Sequence, residues 1–398
     1  GEPDQFTCLH QELQPMDDLK TKSLHAGEVL PRIGGAITTP IFQSSTFEYH
    51  GEDYHDIGYI RLSTTPNHVV LGKRIAALHN AEASLATGSG MAAISATILT
   101  ILSTGDHLIV QDCLYGGTTG LLSSLKRFGI NHTAVDAQDP SSWGAARRES
   151  TRAIYFETLT NPLVQLADLK AVVEFAQEHG LVSIIDNTFA SPVNFQPIVA
   201  GFDLAIESAT KYMGGHSDIC AGCVVGSRKR IEEIKGTLDL LGGSLDPHAC
   251  FLLERGLKTI GLRVPHHNAS AMRVAEFLSA HPMVEKVNYP GLPDHPQHDR
   301  AQQLLDGFGG MLSFELRGGT EIAEQFLGAL KLPAVAVSLG GAESLIVRPA
   351  TAVHAGLSPQ ERIETGITDR LIRFSVGLEE TNDLLADFET ALQAAEPG

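Results

Sequence analysis

Residues 180–211 read GLVSIIDNTFASPVNFQPIVAGFDLAIESATK. Two short apolar runs stand out in them, one closing on Asp186 and one leading through Glu207 and Ser208 to Lys211. Runs of this length, bounded by Gly, Asp or Asn, predict buried strands. The same pattern recurs on either side, in DHLIVQD (106–112), TRAIYFET (151–158) and CAGCVVGS (220–227). Amphipathic stretches such as HVVLGKRIAALHNA (68–81) and DLKAVVEFAQEHG (168–180) separate them. Alternation of this kind from Pro66 to about Ile260 predicts an α/β fold with a mostly parallel sheet and helices on both faces. Ligands of such sheets bind at the carboxyl ends of the strands.

Beyond this region the pattern changes. Residues 1–58 mix charges, glycines and prolines without sustained periodicity and predict an extended arm that needs a partner surface. From residue 261 to 398 the runs VEKVNYPG, GGMLSFELRG, AVAVSLGG and RLIRFSVGLE, with the helical TEIAEQFLGALK, predict a smaller αβ domain with a mixed or antiparallel sheet. The expected division is an arm over 1–58, a main ligand-binding domain over 59–260 and a C-terminal domain over 261–398.

The bulk numbers narrow the function. A chain of 398 residues, 43% hydrophobic, is long enough for more than one core. A formal charge of −18 argues against nucleic acid, which needs clustered Lys and Arg. The apolar stretch Ala92–Leu102 falls short of the roughly 20 residues that span a bilayer. GEPDQFTCLHQELQ has none of the regions of a signal peptide, so a cytoplasmic protein is expected. Five cysteines make no disulfide framework. Cys220 and Cys223 form a C-x-x-C without a second pair, so small residues on a strand are expected there and no metal. His295 and His298, in PDHPQHDR, predict a solvated loop.

Gly88-Ser89-Gly90-Met91-Ala92-Ala93 fits G-x-G-x-x-A, and Asp112 follows Gly90 at the spacing of about 22 residues found in dinucleotide fingerprints. Such a loop suits a dinucleotide, another phosphorylated ligand or a bare helix start. Asp186 and Lys211 favour a second possibility over NAD. A lysine amine can bind an aldehyde cofactor as a Schiff base, and a carboxylate can keep the cofactor's pyridine nitrogen protonated. Ser208 and Thr210 alternate on an extended backbone, so both hydroxyls can face one phosphate.

Over about Thr21 to Leu392 the chain resembles the Cys/Met-metabolism (trans-sulfuration) enzymes that depend on pyridoxal 5'-phosphate (PLP). That family includes cystathionine γ-synthase, cystathionine γ- and β-lyases, methionine γ-lyase and O-acylhomoserine sulfhydrylase. The motifs TKSLHAG, GAITTPIFQSSTF, YIRLSTTPN, GSGMAA, DCLYGGT, ETLTNPL, IIDNTFASP, SATKYMGGHSD, RGLKT, SLGGAESL and RFSVGLE follow one another in order. The resemblance implies the PLP-dependent aminotransferase-like fold (fold type I) and a set of roles. Lys211, Tyr115 and Asp186 would be catalytic. Gly90, Met91, Ser208 and Thr210 would hold the phosphate, Asn161 the phenolic oxygen, and Tyr59 and Arg61 the phosphate of a neighbouring subunit. Arg373, with Ser338 and Val337, would meet an amino-acid substrate. The pKa values of Lys211 and Tyr115 would be lowered, chiefly by the cationic cofactor. A homotetramer of dimers with shared sites is implied too.

Some positions depart from the pattern. Gly117 stands where methionine γ-lyases carry Cys, and Leu238 where they carry Lys. Val337 replaces a Glu of cystathionine-handling members, and Ser338-Leu339 lacks the Trp of β-lyases. YIRLSTTPN replaces the commoner Y-S-R-x-x-N-P-T. The expectation is γ-elimination from a sulfur-containing or O-acylated homoserine-type amino acid, giving a 2-oxo acid and ammonia, with γ-replacement as the alternative and an NAD oxidoreductase as a distant one.

Overall fold

Strands buried on both faces must deliver apolar side chains to both sides, and the central run of this chain does so residue by residue. The computed structural model describes residues 16–396 except 50, 52, 54, 55, 353–359, 361, 363 and 364. Its first sheet contains β1 (Ala83–Thr87), β2 (His107–Gln111), β3 (Asn131–Val135), β4 (Thr151–Glu157), β5 (Val182–Asp186), β6 (Leu204–Glu207) and β7 (Gly222–Gly226). They lie in the order β1-β7-β6-β5-β4-β2-β3, and only the pairings of β7 are antiparallel.

Tyr155, Ile184, Ile206 and Val224 point to one side, against α3 (Gly90–Ile101) and a helix over Arg228–Leu241. Ile154, Phe156, Ile185 and Val225 point to the other, with α2 (Pro66–Leu78) and a helix over Leu169–His179. The odd-even alternation of the strands therefore divides the domain into two cores.

The second sheet is mixed, with the order β10-β11-β12-β9-β8: β8 (Val284–Asn288), β9 (Met311–Leu316), β10 (Ala334–Val335), β11 (Leu345–Val347) and β12 (Leu371–Ser375). Its core centres on Phe314, Phe326, Phe374 and Phe388, whose rings meet at centroid distances of 4.9 to 6.3 Å. The helix Ile260–Ala280 joins the two regions, because Ile260 and Val264 belong to the first core while Ala271, Val274 and Leu278 belong to the second.

Several details differ from the sequence reading. The strand expected over AVAVSLGG shrinks to Ala334–Val335, since Ser338 at φ +85° and Gly340 at φ +71° turn the chain out of the sheet. β1, β3 and β11 went unread; β3 (NHTAV) is a polar edge strand and β11 is only three residues long. The expected solvated loop is partly wrong. His295 is buried, which lowers its pKa to about 4, and His298 opens a helix with Nδ1 2.8 Å from the Pro290 carbonyl.

The segment 1–58 is described only from residue 16, so the GEPDQFTCLHQELQ reading and Cys8 lie outside the described residues. It is not wholly extended, because α1 (Leu19–His25), capped by Asp18, packs on α2 and on the helix Ile260–Ala280. From Gly27 to Arg61 none of the described residues is buried. Among the described residues no helix is long and apolar enough to cross a membrane.

Candidate active site

At the carboxyl ends of β4, β5 and β6, the start of α3 faces the loop between β10 and β11 across a cavity of about 490 Å³, a common size for a small-molecule site. Lys211, Asp186, Tyr115, Gly90, Met91, Ser208, Thr210, Asn161, Arg373, Ser338 and Val337 all line it. Tyr59 and Arg61 do not. They are exposed, with the Arg61 guanidinium 5.7 Å from the Tyr59 ring centroid and donating to the Asp239 carbonyl at 2.6 Å. A larger cavity of about 590 Å³ beside α1 and α2 holds none of these residues.

Each side chain has a local reason for its place. The register of β4 on β5 sets Glu157 opposite Asp186, both as last residues of their strands. Asp186 accepts the Thr188 N–H at 3.0 Å and the Tyr155 hydroxyl at 3.4 Å. Burial raises its pKa. Ser89 caps α3 by accepting the Ala92 N–H at 3.0 Å, which leaves the first amides of that helix facing the cavity. Gly90 packs closely on the strand end, because a Cβ there would lie 3.0 Å from Ser208 Cβ and Ser208 would have to give by a few tenths of an ångström. The Thr210 hydroxyl donates to the Ala221 carbonyl at 3.1 Å and accepts its N–H at 3.0 Å, so local bonding already uses much of its capacity.

The other wall comes from the mixed sheet. Lys211 Nζ donates to Ser338 Oγ at 2.7 Å. The Ser338 carbonyl accepts from Arg373 Nη2 at 3.0 Å, and Arg373 Nη1 donates to Asn161 Oδ1 at 3.2 Å. Arg373 sits on β12, paired on both sides and 2% exposed, so it is not an edge-strand surface cation. Burial lowers its pKa to about 10. The Lys211 pKa is lowered as well, mainly by burial and then by the Arg373 charge, with Cys220 opposing. The protein alone thus supplies a lowering that the sequence reading credited chiefly to the cofactor.

Glu157, Thr188, Leu339 and Cys220 also line the cavity, and the sequence assigns none of them a place in the site. Glu157 carries the same signal as Asp186, a carboxylate ending an apolar strand. Asp112 is not among the lining residues; its carboxylate accepts the Cys113 N–H at 2.9 Å, so the dinucleotide fingerprint loses its acidic member. Cys223 is buried in β7 while Cys220 precedes the strand and is exposed. Among the described residues no group of three His, Cys, Asp or Glu is placed to hold a metal.

With an amine, a cavity-floor carboxylate and a free helix N-terminus around one cavity, comparison with known proteins becomes informative. Residues 20–393 match the family of Cys/Met metabolism PLP-dependent enzymes. The chain belongs to that family. It is 41% identical to the L-methionine gamma-lyase of Pseudomonas putida over 387 residues, covering 94% of this chain and 97% of that protein. The cystathionine gamma-lyase of Bacillus subtilis is also 41% identical, with 94% of this chain and 99% of that protein covered. A crystal structure of cystathionine gamma-lyase from Lactobacillus plantarum, complexed with L-serine, superposes with a TM-score of 0.90 at 40% identity over 95% of this chain and 99% of that one. As a member of this PLP-dependent family the chain is not an NAD enzyme.

On the sheet face opposite Asp186, Glu207 ends β6 and is 2% exposed, with Asn187 Nδ2 at 3.0 Å and His79 Nε2 at 3.5 Å. Burial lowers the His79 pKa to about 3, leaving the ring uncharged, and raises that of Glu207 well above the carboxyl range. A carboxyl whose folded pKa is raised contributes stability below its unfolded pKa and loses it as pH climbs towards the folded value. Between about pH 5 and 8 the parent protein is therefore expected to lose stability relative to Glu207→Gln. Urea unfolding at a series of pH values measures this, and parallel pH profiles would contradict it.

Proposed function

We propose that the protein is a PLP-dependent γ-lyase that eliminates the γ-substituent of a sulfur-containing amino acid as a thiol (C–S cleavage), or of an O-acylated homoserine-type amino acid as a carboxylate (C–O cleavage), releasing a 2-oxo acid and ammonia. The observation that carries this is the convergence of the Lys211 amine, the Asp186 carboxylate and the Arg373 guanidinium on one cavity. The names of the γ-lyase relatives support the choice of reaction.

The residues present fit PLP. Lys211 would bind it covalently and Asp186 would pair with its pyridine nitrogen. The Gly90 and Met91 amides and the Ser208 and Thr210 hydroxyls would meet its phosphate, Asn161 its phenolic oxygen, and Tyr115 would stack on its ring. When bound, the cofactor supplies an electron sink for charge developing at the substrate's α-carbon.

The chain's own residues do the rest. Arg373 binds the substrate α-carboxylate, and its lowered proton affinity still leaves it cationic at neutral pH. Lys211 Nζ, once freed by the incoming amine, takes the α-proton, and its lowered pKa increases the neutral fraction that can do so. Ser338 holds that amine in line through Oγ. Tyr115, which lines the cavity and is 45% exposed, would assist proton transfer. Val337 and Leu339 give the cavity an apolar side that suits a short or uncharged γ-substituent. Addition of a thiol in place of hydrolysis would make the same site a γ-replacement synthase.

We also propose that residues 1–58 act as an arm reaching a neighbouring subunit, with 59–260 as the cofactor domain and 261–398 as the C-terminal domain. The absence of any buried residue among those described from Gly27 to Arg61, and the position of Tyr59 and Arg61 away from their own chain's cavity, support shared sites in a homo-oligomer. Leu240 at 89% and Leu262 at 65% exposure suit further contacts, for which a tetramer of dimers is our reading. A cytoplasmic setting fits the described cysteines, which are free.

The decisive assay offers O-acetyl- and O-succinylhomoserine, cystathionine, homocysteine and methionine, each with and without added thiol. Release of 2-oxobutanoate without thiol is expected, and Lys211→Ala should abolish both turnover and the yellow absorbance of the loaded protein. A thioether formed only with thiol would mark a synthase. Arg373→Ala should keep the colour but raise KM at least tenfold, since a lost charged contact costs about 1.5–3 kcal/mol; an unchanged KM would remove Arg373 from the substrate site. Hybrids of Arg61→Ala and Lys211→Ala subunits should regain part of the activity, whereas verified hybrids without any would contradict shared sites.

A further inference from the structure

Glu157 and Asp186 leave adjacent strands as register partners, so both carboxyl groups emerge on the same face of the sheet. Two such groups in a dry setting are not both ionised at neutral pH without a strong compensating charge. Their surroundings differ. Asp186 is open to the cavity and accepts two donors, the Thr188 N–H and the Tyr155 hydroxyl. Glu157 is 5% exposed and accepts one, the main-chain N–H of Tyr115 at 2.5 Å. More donors and more water favour ionisation at Asp186.

The Tyr115 contact gives Glu157 a use. Tyr115 is the N-cap of the helix Gly116–Leu125, and the residue is 45% exposed while its backbone is held. Gln111 completes the clamp: its Oε1 accepts the Glu157 N–H at 2.8 Å and its Nε2 donates to the Cys113 carbonyl. The short turn from β2 to Tyr115 is thereby fastened to the end of β4. We propose that Glu157 is held as the neutral acid and is the positioning residue for Tyr115, its proton leaving the negative charge of the pair on Asp186.

This rests on reading Tyr115 and Asp186 as cofactor contacts. The titratable groups facing Glu157 are Asp186, Tyr155 and Cys113, with Lys211 and Arg373 across the cavity. Burial, followed by the Asp186 charge, pushes the Glu157 pKa well up. The helix N-terminus at Tyr115 pulls the other way, but a dipole screened at one turn is weaker than a like charge on the next strand.

The test compares Glu157→Gln and Glu157→Leu with the parent. Infrared difference spectra of parent against Glu157→Gln, taken with and without cofactor near pH 7, should show a protonated-carboxyl C=O band lost in the variant. Glu157→Gln keeps an acceptor for Tyr115 and the same charge, so its yellow band should titrate within about half a pKa unit of the parent's, with similar kcat. Glu157→Leu should stay yellow yet lose kcat roughly tenfold or more, because a buried N–H is orphaned. The proposal is overturned by a parent that shows only a carboxylate at Glu157, or by a Glu157→Gln titration displaced by about one unit or more, as removal of a charge would produce. If Glu157→Leu does not fold, the infrared and titration results on the isosteric variant decide. A parent that never turns yellow with PLP instead overturns the cofactor reading and leaves the infrared result standing.

Discussion

The parallel register of β4, β5 and β6 is the constraint on which everything else depends. Because the strands run in one direction, their last residues gather at one edge, and because side chains alternate, the apolar order fixes which way each polar end points. Tyr155 and Ile184 enter the core beneath α3, so Glu157 and Asp186, two and two residues on, leave by the same face. Phe156 and Ile185 enter the opposite core, and Asn187 and Glu207 follow them there. A slip of one residue in β5 would carry Asp186 to the wrong side of the sheet and expose Ile184 and Ile185 to the wrong partners. The large apolar burial of the core therefore also holds the site's carboxylate in place.

The opposite wall is held differently. Ser338 keeps a backbone conformation that side chains rarely adopt, φ +85°, and Gly340 follows at φ +71° with a Cβ position only 2.8 Å from the Tyr212 nitrogen. That bend presses the loop against the residue next to Lys211. The result is a continuous chain of contacts, Lys211 to Ser338 to Arg373 to Asn161, running from the first sheet to the second and back. The helix Ile260–Ala280, buried in both cores, resists any sliding of one region over the other. In the roles we assign, the base at the α-carbon and the clamp on the α-carboxylate are thus spaced by the packing of two sheets and not by a flexible loop.

The readable parts of the sequence were those governed by burial on both faces. Ile184-Ile185 and Leu204-Ala205-Ile206 had no other sensible placement than central strands, and Asp186 and Lys211 came with them. β3 (NHTAV) and β11 (LIV) were missed because an edge strand and a three-residue strand carry too little pattern. α1 owes its existence to packing on α2, which its own LKTKSLH does not announce. Glu157 was missed for another reason. It has the same strand-end position as Asp186, but the family motif ETLTNPL implies a role for Asn161 and none for Glu157. The prolines and charges around His295 predict a solvated residue, and tertiary packing buries it. Tyr59 and Arg61 stand outside their own chain's cavity, as the neighbouring-site role we propose for them requires.

The departures from the family pattern gain meaning from the geometry. Leu238 is 1% exposed in the core beneath α3 and does not line the cavity, so its place cannot be read as a polar contact simply exchanged for an apolar one. Gly117 is more telling. A Cβ there would stand 2.5 Å from Cε1 of Tyr115 and 2.9 Å from the Met91 sulfur, so any side chain at this position must displace the Tyr115 ring. The missing thiol is then only half of the difference, because the glycine also makes room for Tyr115 to lie where a side chain would otherwise stand. Since the backbone of Tyr115 is fixed by Glu157, that freedom belongs to the ring alone. Val337, 56% exposed beside Ser338, meets the same space from the other wall. In the mechanism we propose, Lys211 acts in the same way whatever the leaving group, so selectivity would arise where Val337 lines the cavity and where Gly117 leaves room for the Tyr115 ring.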